Sequence, residues 1–292
     1  MEQIDARSIQ KVPIVKIYNG DAAEEKDILA VEEPLEIRLS FFENDQLIQK
    51  SISVTMRTPG NDEELALGFL FTEGIITSFD AIEVVAHTGM ICEFQKQNIL
   101  QIQLKKGFYP NLNNTERNFY TSSSCGVCGK GSIDAIRTVT TKHFEKETEV
   151  AVSLDLLYQL PQLLRNAQQN FSATGGIHAS GLFDTTGNLL YLREDVGRHN
   201  ALDKLIGEAL MAHQLPLNNQ VLLLSGRASF ELIQKAAMAG IKIIAAIGAP
   251  SSLAVDLAKE FDITLVGFLR DKKCNIYHAN ERILISELKY EN

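Results

Sequence analysis

Cys125 and Cys128 stand as Cys-x-x-Cys in the stretch "TSSSCGVCGKGS" (121–132), behind three serines and among three glycines. Three chemistries use such a pair. Zinc takes four ligands in a structural site, or three and a water in a catalytic one. The pair supplies two, and no second Cys-x-x-Cys exists. His143 belongs to the segment that follows. The nearest echo of a deaminase zinc signature, "IHAS" at 177–180, has Ser180 where that signature needs glutamate, Ser124 where it needs proline, and the reverse order. No metal-ligand set is therefore expected. A thioredoxin-like dithiol wants the pair directly after a strand, and here a polar loop precedes it. The third chemistry is a nucleophilic thiolate that carries a group. Lys130 and a helix start near Ser132 favour thiolate, the glycines leave sulfur approachable, and a persulfide is one of the reversible caps that cysteine accepts. A second thiol three residues away then helps to release or resolve the cargo.

The other two cysteines, Cys92 and Cys274, stand alone in strand-like stretches and read as small buried hydrophobes. The chain has 292 residues, 45% of them hydrophobic, and a net charge of −9. An acidic protein is ill suited to general nucleic-acid binding, which rests on phosphate neutralisation. No apolar run reaches the ~20 residues that span a bilayer, and the first residues lack the apolar centre of a secretory signal. A cytoplasmic protein, with no membrane and no nucleic-acid partner, is expected.

The elements that must position the thiols divide the chain in two. Residues 1–120 read as β-rich. Alternation over 31–57 around an "END" turn predicts a hairpin, Pro59-Gly60 and the acids after them start a helix over about 62–71, and strands follow at 82–95 and 98–105. Residues 108–122 form a polar boundary. Residues 121–292 begin with the cysteine loop and a stretch of helical spacing. A helix over 153–169 starts at Ser153 and is kinked or divided by Pro161. A hairpin turns at Gly187-Asn188, and an amphipathic helix covers "NALDKLIGEALMAH". A strand–helix–strand–helix–strand run over 220–270 predicts a parallel sheet. The fold class is α/β, with mixed sheets and flanking helices.

Both loops of that run lie at the carboxyl ends of strands, where open α/β sheets bind ligands. The first holds Ser225, Gly226, Arg227 and Ser229; the second holds Gly248, Ser251 and Ser252. Backbone N–H groups at such helix starts cradle phosphate, and Arg227 adds a forked cation suited to it. Each loop is equally at home as an ordinary βα connection.

Seven stretches, in order, carry a resemblance over about 30–287: "EEPLEIRLS", "MRTPGNDEELALGFLFTEGII", "SSSCGVCGKG", "TGGIHASGLFD", "REDVGRHNALDKLIG", "LLLSGRASFELIQKAAMAGI" and "GAPSSLAVDLAKEFDITLVGFLR". Together they resemble the FdhD family of formate dehydrogenase accessory sulfurtransferases. The resemblance implies a cytidine deaminase-like mixed sheet and a homodimer. It implies a sulfur carrier that takes sulfane sulfur from a cysteine desulfurase as a persulfide on Cys125, with Cys128 as its partner thiol. The cargo is the molybdenum of bis(molybdopterin guanine dinucleotide), sulfurated before insertion into formate dehydrogenase, and a guanine nucleotide should mimic it. The resemblance also makes "FLRDKK" (Phe268, Leu269, Arg270, Asp271, Lys272, Lys273), placed after the third strand, the leading cofactor-binding segment. In "REDVGRHN", Asp195 is a candidate for the guanine edge, with Arg198 and His199 for phosphate. An equal reading has Asp195 and Asn200 merely capping a helix. His178, flanked by glycines, is placed near the site. A cofactor-holding module with idle cysteines and a zinc-dependent nucleobase hydrolase are the rival functions.

Overall fold

The computed structural model describes residues 5–88, 97–112 and 150–285. Cys92, Cys125, Cys128, the helical stretch after them and the expected boundary near residue 120 lie outside the described residues.

The chain opens with a ribbon absent from the sequence reading: β1 (Ile9–Tyr18) and β2 (Asp21–Ala30) form a two-stranded antiparallel sheet of their own. Asn19 and Gly20, both at positive φ, close it, as a two-residue hairpin turn of the primed kind requires. The predicted hairpin follows as β3 (Glu33–Glu43) and β4 (Gln46–Arg57), turning at Asn44-Asp45, again at positive φ. Helix α1 (Asp62–Thr72) comes next, then β5 (Ile82–His87) and β6 (Ile99–Leu104). These strands build a four-stranded sheet in the order β4-β3-β6-β5.

The second half contains β7 (Val152–Ser153), α2 (Leu154–Ala167), α3 (Gln169–Thr174), β8 (His178–Phe183), β9 (Leu189–Asp195), α4 (Arg198–Met211), β10 (Val221–Leu224), α5 (Phe230–Met238), β11 (Ile243–Ala246), α6 (Ser252–Glu260), β12 (Thr264–Arg270), β13 (Lys273–His278) and β14 (Ile283–Leu284). Ser153 caps α2 by accepting the Leu156 N–H, and Pro161 sits inside that helix without ending it. The six-stranded sheet runs β13-β12-β11-β10-β8-β9. Strands β10, β11 and β12 are parallel, as the βαβαβ rhythm predicts, and antiparallel strands flank them on both sides. The fold is mixed α/β, as expected.

Alternation along the six-stranded sheet decides which side each residue serves. Ala179, Val221, Leu223, Ile243, Ala245 and Val266 pack with Leu157, Leu160 and Leu164 of α2. Leu182, Leu222, Leu224, Ile244 and Leu265 face the opposite way, into a larger core. That core also takes in α1, α4, α5 and α6, and the inner face of the four-stranded sheet through Leu35, Ile37, Leu39, Leu100 and Ile102. One hydrophobic core therefore runs across both sheets, with helices between them.

Helix α4 corrects a sequence expectation. It was expected to be amphipathic, yet its residues from Asn200 to Gly207 are buried without interruption. It crosses α1 so closely that a Cβ on Gly68 would strike the Asp203 carbonyl, and one on Gly207 the Glu64 carbonyl. Its buried polar residues are paired. Asp203 lies 2.9 Å from Lys235 and accepts from the Thr72 hydroxyl at 2.8 Å. Lys204 donates to the Thr58 carbonyl at 2.9 Å and lies 2.8 Å from Asp195. Buried charges survive only when matched in this way.

Candidate functional site

The strand order brings the predicted ligand segments to one edge. In the parallel strands β10, β11 and β12 the carboxyl ends point the same way. Strand β8 is antiparallel to β10 and starts at that edge with His178. Strand β9 is antiparallel to β8 and finishes there, Asp195 opposite His178. Strand β13 leaves the same edge at Lys273, opposite Arg270. Five chain segments that span nearly a hundred residues therefore meet along one rim, where α/β sheets bind ligands.

The two βα loops are stitched together. Gly248 N–H donates to the Gly226 carbonyl at 3.0 Å, Ala228 N–H to Ala249 at 3.2 Å, Ser251 N–H to Ala228 at 3.0 Å and Phe268 N–H to Gly248 at 3.1 Å. The approach leaves no room for side chains: a Cβ on Gly248 would lie 3.0 Å from both Arg227 and Gly226. Ser225 is tied to β8, its hydroxyl accepting the Ala179 N–H at 2.8 Å. Arg227 is exposed above this platform.

The loops differ in their serines. Ser251 caps α6 and accepts the Ala254 N–H at 3.2 Å, with Ser252 as the first helical residue. Ser229 occupies the same position before α5, yet its hydroxyl caps nothing. It sits 3.3 Å from Nε2 of His199 instead. That nitrogen also lies 2.8 Å from Oε2 of Glu231 in the first turn of α5. The start of α5 thus lacks a side-chain cap, while the start of α6 has one.

Four buried side-chain atoms among the described residues have no hydrogen-bond partner, and three of them belong to elements that reach this rim: Ser180 Oγ on β8, Arg198 Nε on α4 and Glu231 Oε1 on α5. Ser180 lies on the same face of β8 as His178. Arg198 precedes His199 and is close enough to act electrostatically on His178. Folded proteins leave few such atoms, and each needs a reason. The three together offer a donor, an acceptor and a hydroxyl that does both. His178 is half-buried against Gly226, and burial, followed by the charge of Arg198, holds its pKa below the ordinary histidine value. It is neutral at neutral pH.

The other predicted residues divide. Asp195 is fully buried, with its carboxylate engaged inside the chain. One carboxylate oxygen accepts from Thr58 N–H and faces the Lys204 ammonium, and the other accepts from Gly197 N–H and the Asn200 amide. All its acceptor capacity is used to fix the start of α4, and Asn200 serves the same joint by donating to the Met56 carbonyl. "FLRDKK" does not follow the third strand. Phe268, Leu269 and Arg270 are its last residues, and Asp271 and Lys272 form the turn into β13. The Leu269 side chain is wholly in the core. Phe268, at φ 54°, is exposed. Such a backbone is strained for a bulky residue and is tolerated where surroundings impose it. Arg270, Lys272 and Lys273 are exposed, as a basic cluster at the rim should be. Cys274, beyond them, is partly buried beside Tyr158, and burial raises its thiol pKa.

Glu231 and Ser180 were missed. An acid in a first helical turn reads as a helix-start residue, and a serine inside a strand carries no signal. Only the fold shows that Ser180 Oγ and Glu231 Oε1 lack hydrogen-bond partners.

The carboxyl rim of the mixed α/β sheet is polar and partly unsatisfied. The sequence family is specific. The FdhD/NarQ family model matches residues 30–284, and the chain belongs to that family. It is 45% identical over 281 residues to the sulfur carrier protein FdhD of Streptomyces avermitilis, covering 96% of this chain and 97% of that one. It is 49% identical to the sulfur carrier protein FdhD of Mycolicibacterium paratuberculosis, over 92% of this chain and 97% of that one. In structure it resembles a protein described as a formate dehydrogenase accessory protein from Desulfotalea psychrophila, with TM-score 0.67 at 25% identity, covering 94% and 99% of the two chains. Among the described residues, no helix is long and apolar enough to cross a membrane.

Proposed function

We propose that this protein is a cytoplasmic sulfur carrier serving formate dehydrogenase. A cysteine desulfurase presents a persulfide, and the Cys125 thiolate attacks its terminal sulfur. The donor S–S bond breaks, its electron pair stays on the desulfurase thiolate, and a new S–S bond leaves the sulfane sulfur on Cys125. Cys128 is the partner thiol. The acceptor is the molybdenum of bis(molybdopterin guanine dinucleotide), held as cargo at the sheet's carboxyl rim before it enters formate dehydrogenase. Membership in a family whose curated relatives are named sulfur carriers supports the sulfur chemistry.

The observation that carries the cargo reading is the set of unpartnered atoms on the rim. Guanine offers acceptors at O6 and N7, and donors at N1 and N2. A forked cation suits the first pair, and a carboxylate suits the second. Arg198 and Glu231 are groups of those kinds with unmet hydrogen bonds. The uncapped start of α5 and the cluster Arg270, Lys272 and Lys273 suit phosphates. Glu231 thus takes the role first sought in Asp195.

Mass spectrometry after incubation with a cysteine desulfurase and cysteine tests the carrier step. One added sulfur, about 32 Da, is expected on the wild type and not on Cys125→Ala. A wild type that gains no mass, or a variant that gains it equally, ends the proposal. A Cys125→Ala/Cys128→Ala protein that still supports formate dehydrogenase would instead favour a cofactor-holding module with idle thiols.

A further inference from the structure

The sequence offers His199 to phosphate, but in the fold its ring is engaged with a carboxylate. Nε2 lies 2.8 Å from Oε2 of Glu231 and 3.3 Å from the Ser229 hydroxyl. The histidine and glutamate side chains are each only 13% exposed. A carboxylate oxygen at that distance assigns a proton to Nε2, because a lone pair there would face the lone pairs of the acid. The imidazole therefore donates to Oε2. Oε1 of the same carboxylate is buried and unmet.

The contact joins two helix starts. His199 lies in the first turn of α4, whose entry is fixed by Asp195 through Gly197 N–H and the Asn200 amide. Glu231 lies in the first turn of α5. A glutamate side chain has several rotatable bonds, and holding it in one place costs entropy. A ring carried by a different, firmly seated helix sets one of its oxygens here. Ser229 stands beside the same nitrogen instead of capping its own helix. Functional groups are held to a productive geometry by supporting hydrogen bonds of this kind.

A fixed acceptor can tell purines apart. Guanine presents N–H donors at N1 and N2. Adenine presents a lone pair at N1, which a carboxylate oxygen repels, and such repulsion contributes to selectivity as much as attraction does. A glutamate free to swing aside would lose the repulsive half. We infer that His199 is a positioning residue that holds Glu231 with Oε1 available as an acceptor, and so sets guanine over adenine at the rim without itself binding phosphate. The inference rests on the guanine reading of the rim given above.

Calorimetric titration of the full chain with GDP, ADP and inorganic pyrophosphate tests it. His199→Phe keeps a ring and removes the donor. It should weaken GDP about tenfold, leave pyrophosphate within about twofold, and so lower the preference for GDP over ADP. His199→Gln returns an N–H to the position of Nε2 and should recover most of the GDP affinity. Circular dichroism should be unchanged in both variants. In a Glu231→Gln background His199→Phe should cost nothing more, because a residue that acts through another does not add to its loss. Equal losses of GDP and pyrophosphate would make His199 a phosphate ligand and overturn the inference. So would an unchanged GDP affinity in His199→Phe, additive losses in the double variant, or a His199→Gln protein no better than His199→Phe. A wild type that binds GDP no better than ADP ends the guanine reading itself, and this inference with it.

Discussion

Helix α4 passes through two environments. Along its middle, where it crosses α1 and α5, each buried charge has its counterpart: Asp203 with Lys235 and Thr72, Lys204 with Asp195 and the Thr58 carbonyl. At its first turn, on the rim, Arg198 Nε is buried without a partner, as are Ser180 Oγ on β8 and Glu231 Oε1 on α5. Both regions are polar and largely buried, so burial alone does not tell scaffold from site. Satisfaction does. A paired buried charge contributes to one arrangement of the chain, whereas an unpaired one lowers stability unless something outside the chain completes it.

That contrast is most easily broken in the seam. Lys235→Met should cost about 3–5 kcal/mol, because it strands the Asp203 carboxylate. Adding Asp203→Leu should recover most of the loss. Urea unfolding checks both, and a single variant as stable as wild type would mean that the pair carries no structural load.

On the rim the expected effect moves from stability to binding. Glu231→Gln should change stability by no more than about 0.5 kcal/mol. It should weaken GDP about tenfold in calorimetric titration, or about 1.4 kcal/mol. If stability falls and GDP binding does not, Glu231 belongs with the seam.

The two serines give a finer comparison. Ser251→Ala removes a working cap and should cost about 1 kcal/mol with GDP binding intact. Ser229→Ala removes no cap, so its stability should stay within a few tenths of a kcal/mol while GDP binding weakens. Thermal melts and titrations of the pair should give opposite patterns.

The smallest effect concerns pH. The folded pKa of His178 lies below its ordinary value of 6.5, through burial and then Arg198. Between the folded value and 6.5 the unfolded chain binds more protons than the folded one, so stability falls as pH drops through that window and is unaffected above it. Facing charges from Asp195 and His199 act in opposite directions on the group. His178→Gln should flatten the loss of stability on the acid side of 6.5, as read by urea midpoints at several pH values. An unchanged slope would place the titration elsewhere.

Much of this was legible in the chain itself. The spacing of Cys125 and Cys128, the period-two alternation of β3 and β4, the acids that start α1 and the strand–helix rhythm from β10 to β12 are local patterns, and local patterns are what a sequence displays. So is the short loop that follows each parallel strand, which placed 225–229 and 248–252 at strand ends on one edge of the sheet. The initial ribbon was passed over because its alternation is diluted by charges on both strands, with no core face to sharpen it. The amphipathic reading of α4 failed because asparagine, aspartate and lysine in a helix suggest a wet face. Here Gly68 and Gly207 bring α1 close enough, and Lys235, Thr72 and Asp195 stand near enough, for those residues to be buried in matched pairs.

The sequence by itself determined which elements form, where the thiols lie and that two glycine-bearing loops end parallel strands, because propensity, period and turn chemistry act over a few residues. Only the tertiary structure decided which polar groups are spent and which remain. Asp195 and Glu231 are both acids beside a helix start, and nothing in their neighbours distinguishes them. The joint at the start of α4 gives the first Gly197, Asn200 and Lys204, the distant Thr58 adds a fourth partner, and one oxygen of the second stays unmet. Hydrogen-bond satisfaction depends on which groups the folded backbone brings within reach, and that is a property of the fold.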